Sequence, residues 1–327
     1  MSLLILGGTQ FLGYTVATQA LQRGWLVTCL HAGHHAPPPG AESIVADRRD
    51  NSALDALGQH TWDCVIDTWS GSPEAVVNAV DRLADRTSCY QYVSSRSVYA
   101  WPAPAGADES APLVALPESP VALDYAQAKL RAEDAVRSVF GGRCLIARAG
   151  MLLGPRERPC RLTWWLARIS RGGVIPVPGP PELDIQYADA RDVSAWMLDC
   201  AADSVTGIFN VVGPPGGATM ASLMAKCLAT TGSDAKLVWV DPAIVAREGI
   251  EAWTQVPIWL PPGPEHASVH RGDTTALAAT GFRQRDLAET VEDTWLWMQG
   301  PDGIQTWADQ ELGLSTEVER RLLASRA

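Results

Sequence analysis

Along the first 150 positions, short unbroken apolar runs alternate with segments whose apolar residues recur every three or four positions. The runs SLLIL, WLVTCL, SIVA, WDCVID, CYQYVSS and RCLIA read as strands buried on both faces. Between them, FLGYTVATQALQRG places Leu12, Val16 and Ala20 on one helical face and Gly24 at its stop. SPEAVVNAVDRLADR predicts a second helix with Ser72 as cap and Pro73 at its first position. Strands of this kind separated by helices predict an α/β fold, a doubly wound parallel sheet with right-handed crossovers.

The pattern changes after Arg148. GPRERP, VIPVPGPPELD, GPPGGAT and VPIWLPPGPEH are rich in proline and glycine and separate short helices and strands. The chain therefore divides into a dinucleotide-type domain over 1–150, rejoined by elements around 184–212, and a smaller α+β substrate lobe over 151–327. That lobe should stand over the C-terminal edge of the sheet, where ligands bind in such folds. Thr316 and Glu319 have capping-box spacing and predict a terminal helix.

Composition narrows the function. The net charge of −11 disfavours nucleic acid as a partner, because that affinity rests on clustered Lys and Arg. No apolar run is long enough to span a bilayer, and the start MSLLILGGTQ has neither basic region nor cleavage site, so no membrane association and no signal peptide are expected. Seven scattered cysteines with no C-x-x-C pair suit reduced thiols in the cytoplasm better than disulfides or a zinc site. His31, His34 and His35 have no carboxylate or cysteine beside them, and no metal is assigned there.

Two stretches carry candidate chemistry. In LILGGTQFLG a strand runs into a glycine turn, where Gly7, Gly8 and Gly13 can supply the positive φ, the close approach to a diphosphate and the tight helix packing that such a turn needs. Gln10 puts a Cβ where a middle glycine would stand, though its amide could donate to the anion and the helix N-terminus behind it still favours one. In LDYAQAKLRAE, Tyr125 and Lys129 lie four apart on a helix, and the chain has only three lysines. An ammonium beside a phenol favours the phenolate, which suits general acid/base work at an alcohol or carbonyl. Upstream, QYVSSRSVYA ends a strand with Ser94, Ser95 and Ser97, whose hydroxyls could hold a substrate oxygen.

These motifs, with VIDTW, ARAGMLLGP, IQYADARDV and GIFNVVG, resemble the extended epimerase/dehydratase branch of the short-chain dehydrogenase/reductase superfamily, over most of the chain. The resemblance implies a Rossmann fold, bound NAD(P) and a Ser-Tyr-Lys triad of Ser95, Tyr125 and Lys129. It places the cofactor on Gly7, Gly8, Thr9, Gln10, Phe11, Leu12, Gly13, His31, Asp47, Arg48, Asp67, Thr68, Lys129, Ala149 and Met151. Some members with GGT-x-F-x-G loops also lack the middle glycine. The second strand ends CLHAGHH, with neither the acid that NAD users tend to show nor the arginine of NADP users, which leaves NAD versus NADP open. Ser97, Glu109, Trp164 and Trp253 are substrate candidates, the tryptophans for their flat faces, and Arg191 should pair with Asp189 or Asp192. The implied activity is an NAD(P)-dependent oxidoreductase acting on a secondary alcohol or carbonyl of a small molecule. The alternatives are a nucleotide-sugar epimerase/dehydratase that keeps its NAD, and a non-catalytic dinucleotide-binding regulatory protein. A homodimer through helices at 73–85 and 122–140 is the family's habit.

Overall fold

A computed structural model describes residues 1–117, 122–158, 160–301, 303 and 313–325. Its centre is a parallel sheet of seven strands: β1 (Ser2–Leu6), β2 (Leu26–His31), β3 (Glu42–Val45), β4 (Trp62–Asp67), β5 (Thr87–Ser95), β6 (Cys144–Ala149) and β7 (Gly207–Val211). Their spatial order is β3-β2-β1-β4-β5-β6-β7. The chain moves outward from β1 in one direction, then returns to start β4 on its other side, so β1 and β4 flank the point where the winding reverses. Helices at that point diverge and leave a crevice at the carboxyl ends of the strands.

Strand alternation sorts the core into two layers. Leu3, Ile5, Cys64, Ile66, Leu145 and Ala147 face the side covered by helices α1 (Phe11–Gln22) and α5 (Ala190–Ala202). Their neighbours Leu4, Leu6, Val65, Tyr90, Tyr92 and Ile146 face α2 (Glu74–Leu83) and α3 (Tyr125–Phe140). Because both faces are apolar, the strand runs show no polar alternation. All seven cysteines are buried thiols.

Beyond β6 the chain builds a second core around α4 (Arg161–Ser170), α6 (Met220–Thr231) and α7 (Leu287–Gln299), with Trp165 and Trp259 at its centre. The indole of Trp165 donates to the Pro257 carbonyl and that of Trp259 to Gly179, so each buried ring satisfies its one polar atom. No helix among the described residues is long and apolar enough to cross a membrane.

Local details differ from the sequence expectations. Pro73 occupies the cap position of α2, which starts at Glu74 and has no side-chain cap; the Ser72 carbonyl instead accepts the Trp69 indole. The last helix, Thr316–Ala324, is capped by Ser315, not Thr316, because the Glu319 carboxylate is drawn into a buried ion pair with Arg168. Helix α3 begins at Tyr125, with Asp124 and Gln127 forming a reciprocal capping box, three residues later than the pattern suggested.

Candidate functional site

Beside a hollow of about 500 Å³ between residues 70–74 and 122–128, two more open along the carboxyl ends of the strands. The smaller, about 160 Å³, lies between the glycine turn and the end of β2, against Gly7, Thr9, Gln10, His31 and Trp69. The larger, about 510 Å³, runs from Phe11 and Thr68 past Ser95, Tyr125 and Lys129 to the second lobe.

The glycine turn has the shape a diphosphate requires. Gly7 and Gly8 take φ of 126° and 83°, and a Cβ on Gly7 would stand 2.3 Å from Thr68 Oγ1. A Cβ on Gly13 would meet the Gly8 backbone nitrogen at 2.8 Å, so this third glycine lets α1 press onto the turn. Gln10 is exposed at the cap of α1 and its side chain makes no cap hydrogen bond. Its Cβ leaves the turn open, and the backbone N–H groups at the helix start remain available to an anion. The cradle therefore fits a dinucleotide. Phe11 and Thr68 line the larger hollow beside it, as do Ala149 and Met151 at the end of β6, while Leu12 is buried in the core behind.

His31 borders the smaller hollow with both ring nitrogens engaged. Gly33 N donates to Nδ1, so Nε2 carries the proton and donates to Ser43 Oγ at 2.8 Å. Burial lowers its pKa.

Two acids assigned to the cofactor have arginine partners within the protein. Asp67 is fully buried and receives both forks of Arg48 (2.7 and 2.9 Å), the Tyr90 hydroxyl (2.6 Å) and Trp69 N (2.9 Å). Its carboxylate organises the wall instead of meeting a ligand. Arg48 borders the smaller hollow, lies over the Trp69 ring and gives its charge to Asp67. Asp47 turns outward to Arg49, whose hydrogen bonds hold its pKa down to about 2.

Tyr125 stands at the mouth of the larger hollow, 52% exposed, at the first position of α3. One turn later Lys129 is 4% exposed, and its ammonium donates to the carbonyls of Trp69 and Val93 and lies over the Tyr92 ring. Burial brings its pKa down to about 8, against the opposing pull of Asp67 and Glu133. Two of its three protons are used, which leaves one for a ligand. Ser95 lies on the same wall at the end of β5, donating to Ser97 Oγ and accepting from Ser97 N. Its neighbour Ser94 is committed to Glu133, itself paired with buried Arg148.

On the substrate side the candidates separate. Trp253 and exposed Ser97 line the hollow. Trp164 does not: it packs edge-on against Trp165 in the second core. Glu109 does not either, because its carboxylate accepts from Asn210 N while its carbonyl accepts from Arg148. Arg191 pairs with Asp189 and Asp293, and Asp192 is taken by Arg285.

Among the residues of the larger hollow that sequence reasoning missed are three arginines, Arg96, Arg158 and Arg161. The run GPRERPCR was a signal for two of them, since three arginines close to a strand end are rarely idle in an acidic chain. Arg156 folds back over the Tyr14 ring at 4.0 Å, which ties this segment to α1.

The NAD dependent epimerase/dehydratase family profile matches residues 3–213. No curated protein sequence matches the chain. Among solved structures, UDP-glucose 4-epimerase of Thermus thermophilus, in complex with NAD, superposes with a TM-score of 0.67 at 18% identity, covering 92% of this chain and 100% of that one. UDP-N-acetylglucosamine 4-epimerase of Bacillus cereus gives 0.64 at 18%, covering 92% and 100%. dTDP-glucose 4,6-dehydratase of Bacillus anthracis str. Ames, in complex with NAD, gives 0.65 at 13%, covering 91% and 96%. At these identities the superpositions establish the fold, and the match over 3–213 establishes the lineage: the chain belongs to the NAD-dependent epimerase/dehydratase family.

Proposed function

We propose that the protein is an NAD-dependent oxidoreductase acting at a secondary alcohol or carbonyl carbon of a small molecule, with Tyr125 as acid/base, Ser95 as the hydroxyl that holds the reacting oxygen, and Lys129 as the positioning cation. The observation that carries this reading is that the three side chains line one cleft, next to a glycine turn shaped for a diphosphate. A bound nicotinamide supplies the hydride acceptor or donor. Tyr125 takes the alcohol proton on oxidation and returns it on reduction. Ser95, held by Ser97, keeps the substrate oxygen within reach of the phenol. Lys129 is fixed by two carbonyls, and its remaining proton would hold a ribose hydroxyl of the bound cofactor.

Tyr125→Phe tests this. Turnover should fall by about a hundredfold or more, while calorimetric binding of NAD⁺ is retained. Unchanged turnover removes Tyr125 from the chemistry.

Family membership favours a second reading, in which a sugar alcohol is oxidised and then reduced again in the same cleft, giving an epimer or a dehydrated product. Net oxidation consumes NAD⁺ in step with product; epimerisation leaves the NAD⁺ pool unchanged.

A further inference from the structure

The larger hollow has a lining unlike the rest of the molecule. The chain carries a net charge of −11, yet among the described residues this lining contains Arg96, Lys129, Arg158 and Arg161 and no carboxylate. Lys129 belongs to the Tyr125 wall, and Arg158 lies close enough to His35 for its charge to depress that ring's pKa, which places it towards the smaller hollow. Arg96 and Arg161 remain, on the side of the second lobe.

Neither of these two is satisfied as a structural arginine usually is. Arg161 has one ion-pair contact among the described residues, Glu157 at 3.9 Å, beyond hydrogen-bond distance. The Glu157 oxygens are taken up by the Arg161 and Leu162 backbone N–H groups at the start of α4. The Arg161 guanidinium lies over the Trp253 ring at 4.9 Å, and burial lowers its pKa. Arg96 directly follows Ser95 and is buried. Its forks donate to the Ser268 and Val269 carbonyls and, at 3.5 Å, to Gln186 Oε1; these acceptors are neutral, no carboxylate bonds it among the described residues, and its Nε has no partner. Two desolvated guanidinium groups without bonded carboxylates favour bringing an anion into the same cleft.

We propose that the substrate is a small acid, whose carboxylate or phosphate monoester is received by the Arg161 fork, with Trp253 packing on its flat or apolar part and Arg96 adding positive potential from the cleft floor. Arg161 thereby fixes which carbon meets Tyr125. The size of the hollow favours a compact molecule, since about 510 Å³ also has to take the nicotinamide end of a dinucleotide, and the neighbouring hollow of about 500 Å³ meets it only at Ser70 and Tyr125. Identifying this anion as the substrate rests on the reading of Tyr125 given above; the anion site itself does not.

Binding separates the two. Calorimetry on the full chain, with and without saturating NAD⁺, uses benzoate, phenyl phosphate, neutral benzamide and UDP as probes. Benzoate or phenyl phosphate should bind at least about tenfold more tightly than benzamide, as expected when a charge-assisted bond replaces a neutral one. The tighter of the two identifies a carboxylate or a phosphate. Arg161→Gln should abolish that preference and leave NAD⁺ affinity unchanged. Arg161→Lys keeps the charge beside Glu157 and should retain part of it. Benzamide binding as well as both anions, no saturation by either anion in the millimolar range, or an unaltered preference in Arg161→Gln overturns the proposal. UDP binding more than about a hundredfold tighter than phenyl phosphate, and depending on Arg161, overturns the small-acid assignment in favour of a nucleotide. Failure of NAD⁺ to bind refutes the oxidoreductase reading and leaves the anion isotherms standing. Loss of the anion preference with NAD⁺ binding intact refutes only this inference.

Discussion

Replacing Arg48 with Met should destabilise the protein severely, and the size of the loss can be worked from the contacts. Arg48 and Asp67 have side chains 4% and 0% exposed, and the arginine makes three hydrogen bonds, two to the carboxylate and one to the Ala75 carbonyl at 2.8 Å. Without it, Asp67 keeps only the Tyr90 hydroxyl and Trp69 N, which leaves a carboxylate in the core with no cation bonded to it. Breaking one side of a buried pair costs about 3–5 kcal/mol. At roughly 2 °C per kcal/mol for a chain of this size, Tm should fall by about 6–10 °C. Arg48→Met with Asp67→Asn should cost less than Arg48→Met alone, because the stranded charge goes with its partner. The effect should reach the site, since Asp67 holds Trp69 N and the Trp69 carbonyl holds Lys129. NAD⁺ affinity should therefore drop in the single variant at temperatures where it is still folded. Thermal unfolding followed by circular dichroism, in a double-mutant cycle, reads the stability. A single variant melting within about 1 °C of the parent, or strictly additive losses, would show that the pair does not act as a buried unit.

Other outcomes follow from single contacts. Gly13→Ala forces a Cβ against the Gly8 nitrogen, so NAD⁺ affinity should weaken by about tenfold or more, equivalent to about 1.4 kcal/mol, with native far-ultraviolet dichroism; unchanged affinity would mean that the turn adapts. Burial raises the Glu157 pKa to about 7 in the folded chain, against 4.5 when unfolded. The folded state then binds the extra proton between those values, and stability from this group falls as pH rises from about 4.5 to 7 and stays low above it. Glu157→Gln should flatten Tm against pH across that window, and a slope equal to the parent's would assign the dependence to other groups. We also propose that α2 and α3 form a homodimer interface, for which light scattering should give twice the chain mass; a monomeric mass refutes it.

How much was legible beforehand depends on the range of the forces involved. Six strands of the sheet could be read from residues 2 to 149: five are buried on both faces and so mostly apolar, a local mark, while β3 is a largely exposed edge strand. The glycine turn was equally local: a positive φ and a close approach require the absence of a Cβ at stated positions. The Tyr125–Lys129 pair follows from helical spacing alone. Caps were less secure, since Ser72, Pro73, Ser315 and Thr316 offer competing partners whose choice depends on neighbours such as Arg168.

Charged residues were the least predictable. Asp67 and Glu109 each looked available for a ligand, and each is bound by a group whose position only the folded chain sets: Arg48 across nineteen residues and Asn210 N across 101. Trp164 and Trp253 are indistinguishable as letters, yet packing sends the first into a core and the second over a guanidinium in the cleft. The sequence determined the doubly wound sheet, the turn at its edge and the one-turn spacing of a phenol and an ammonium, because backbone sterics and burial periodicity act between near neighbours. Which charges are neutralised and which face a ligand was decided by the tertiary structure. A guanidinium's partner is whatever carboxylate the fold brings within hydrogen-bond reach, and for Arg96 and Arg161 the fold brought none among the described residues.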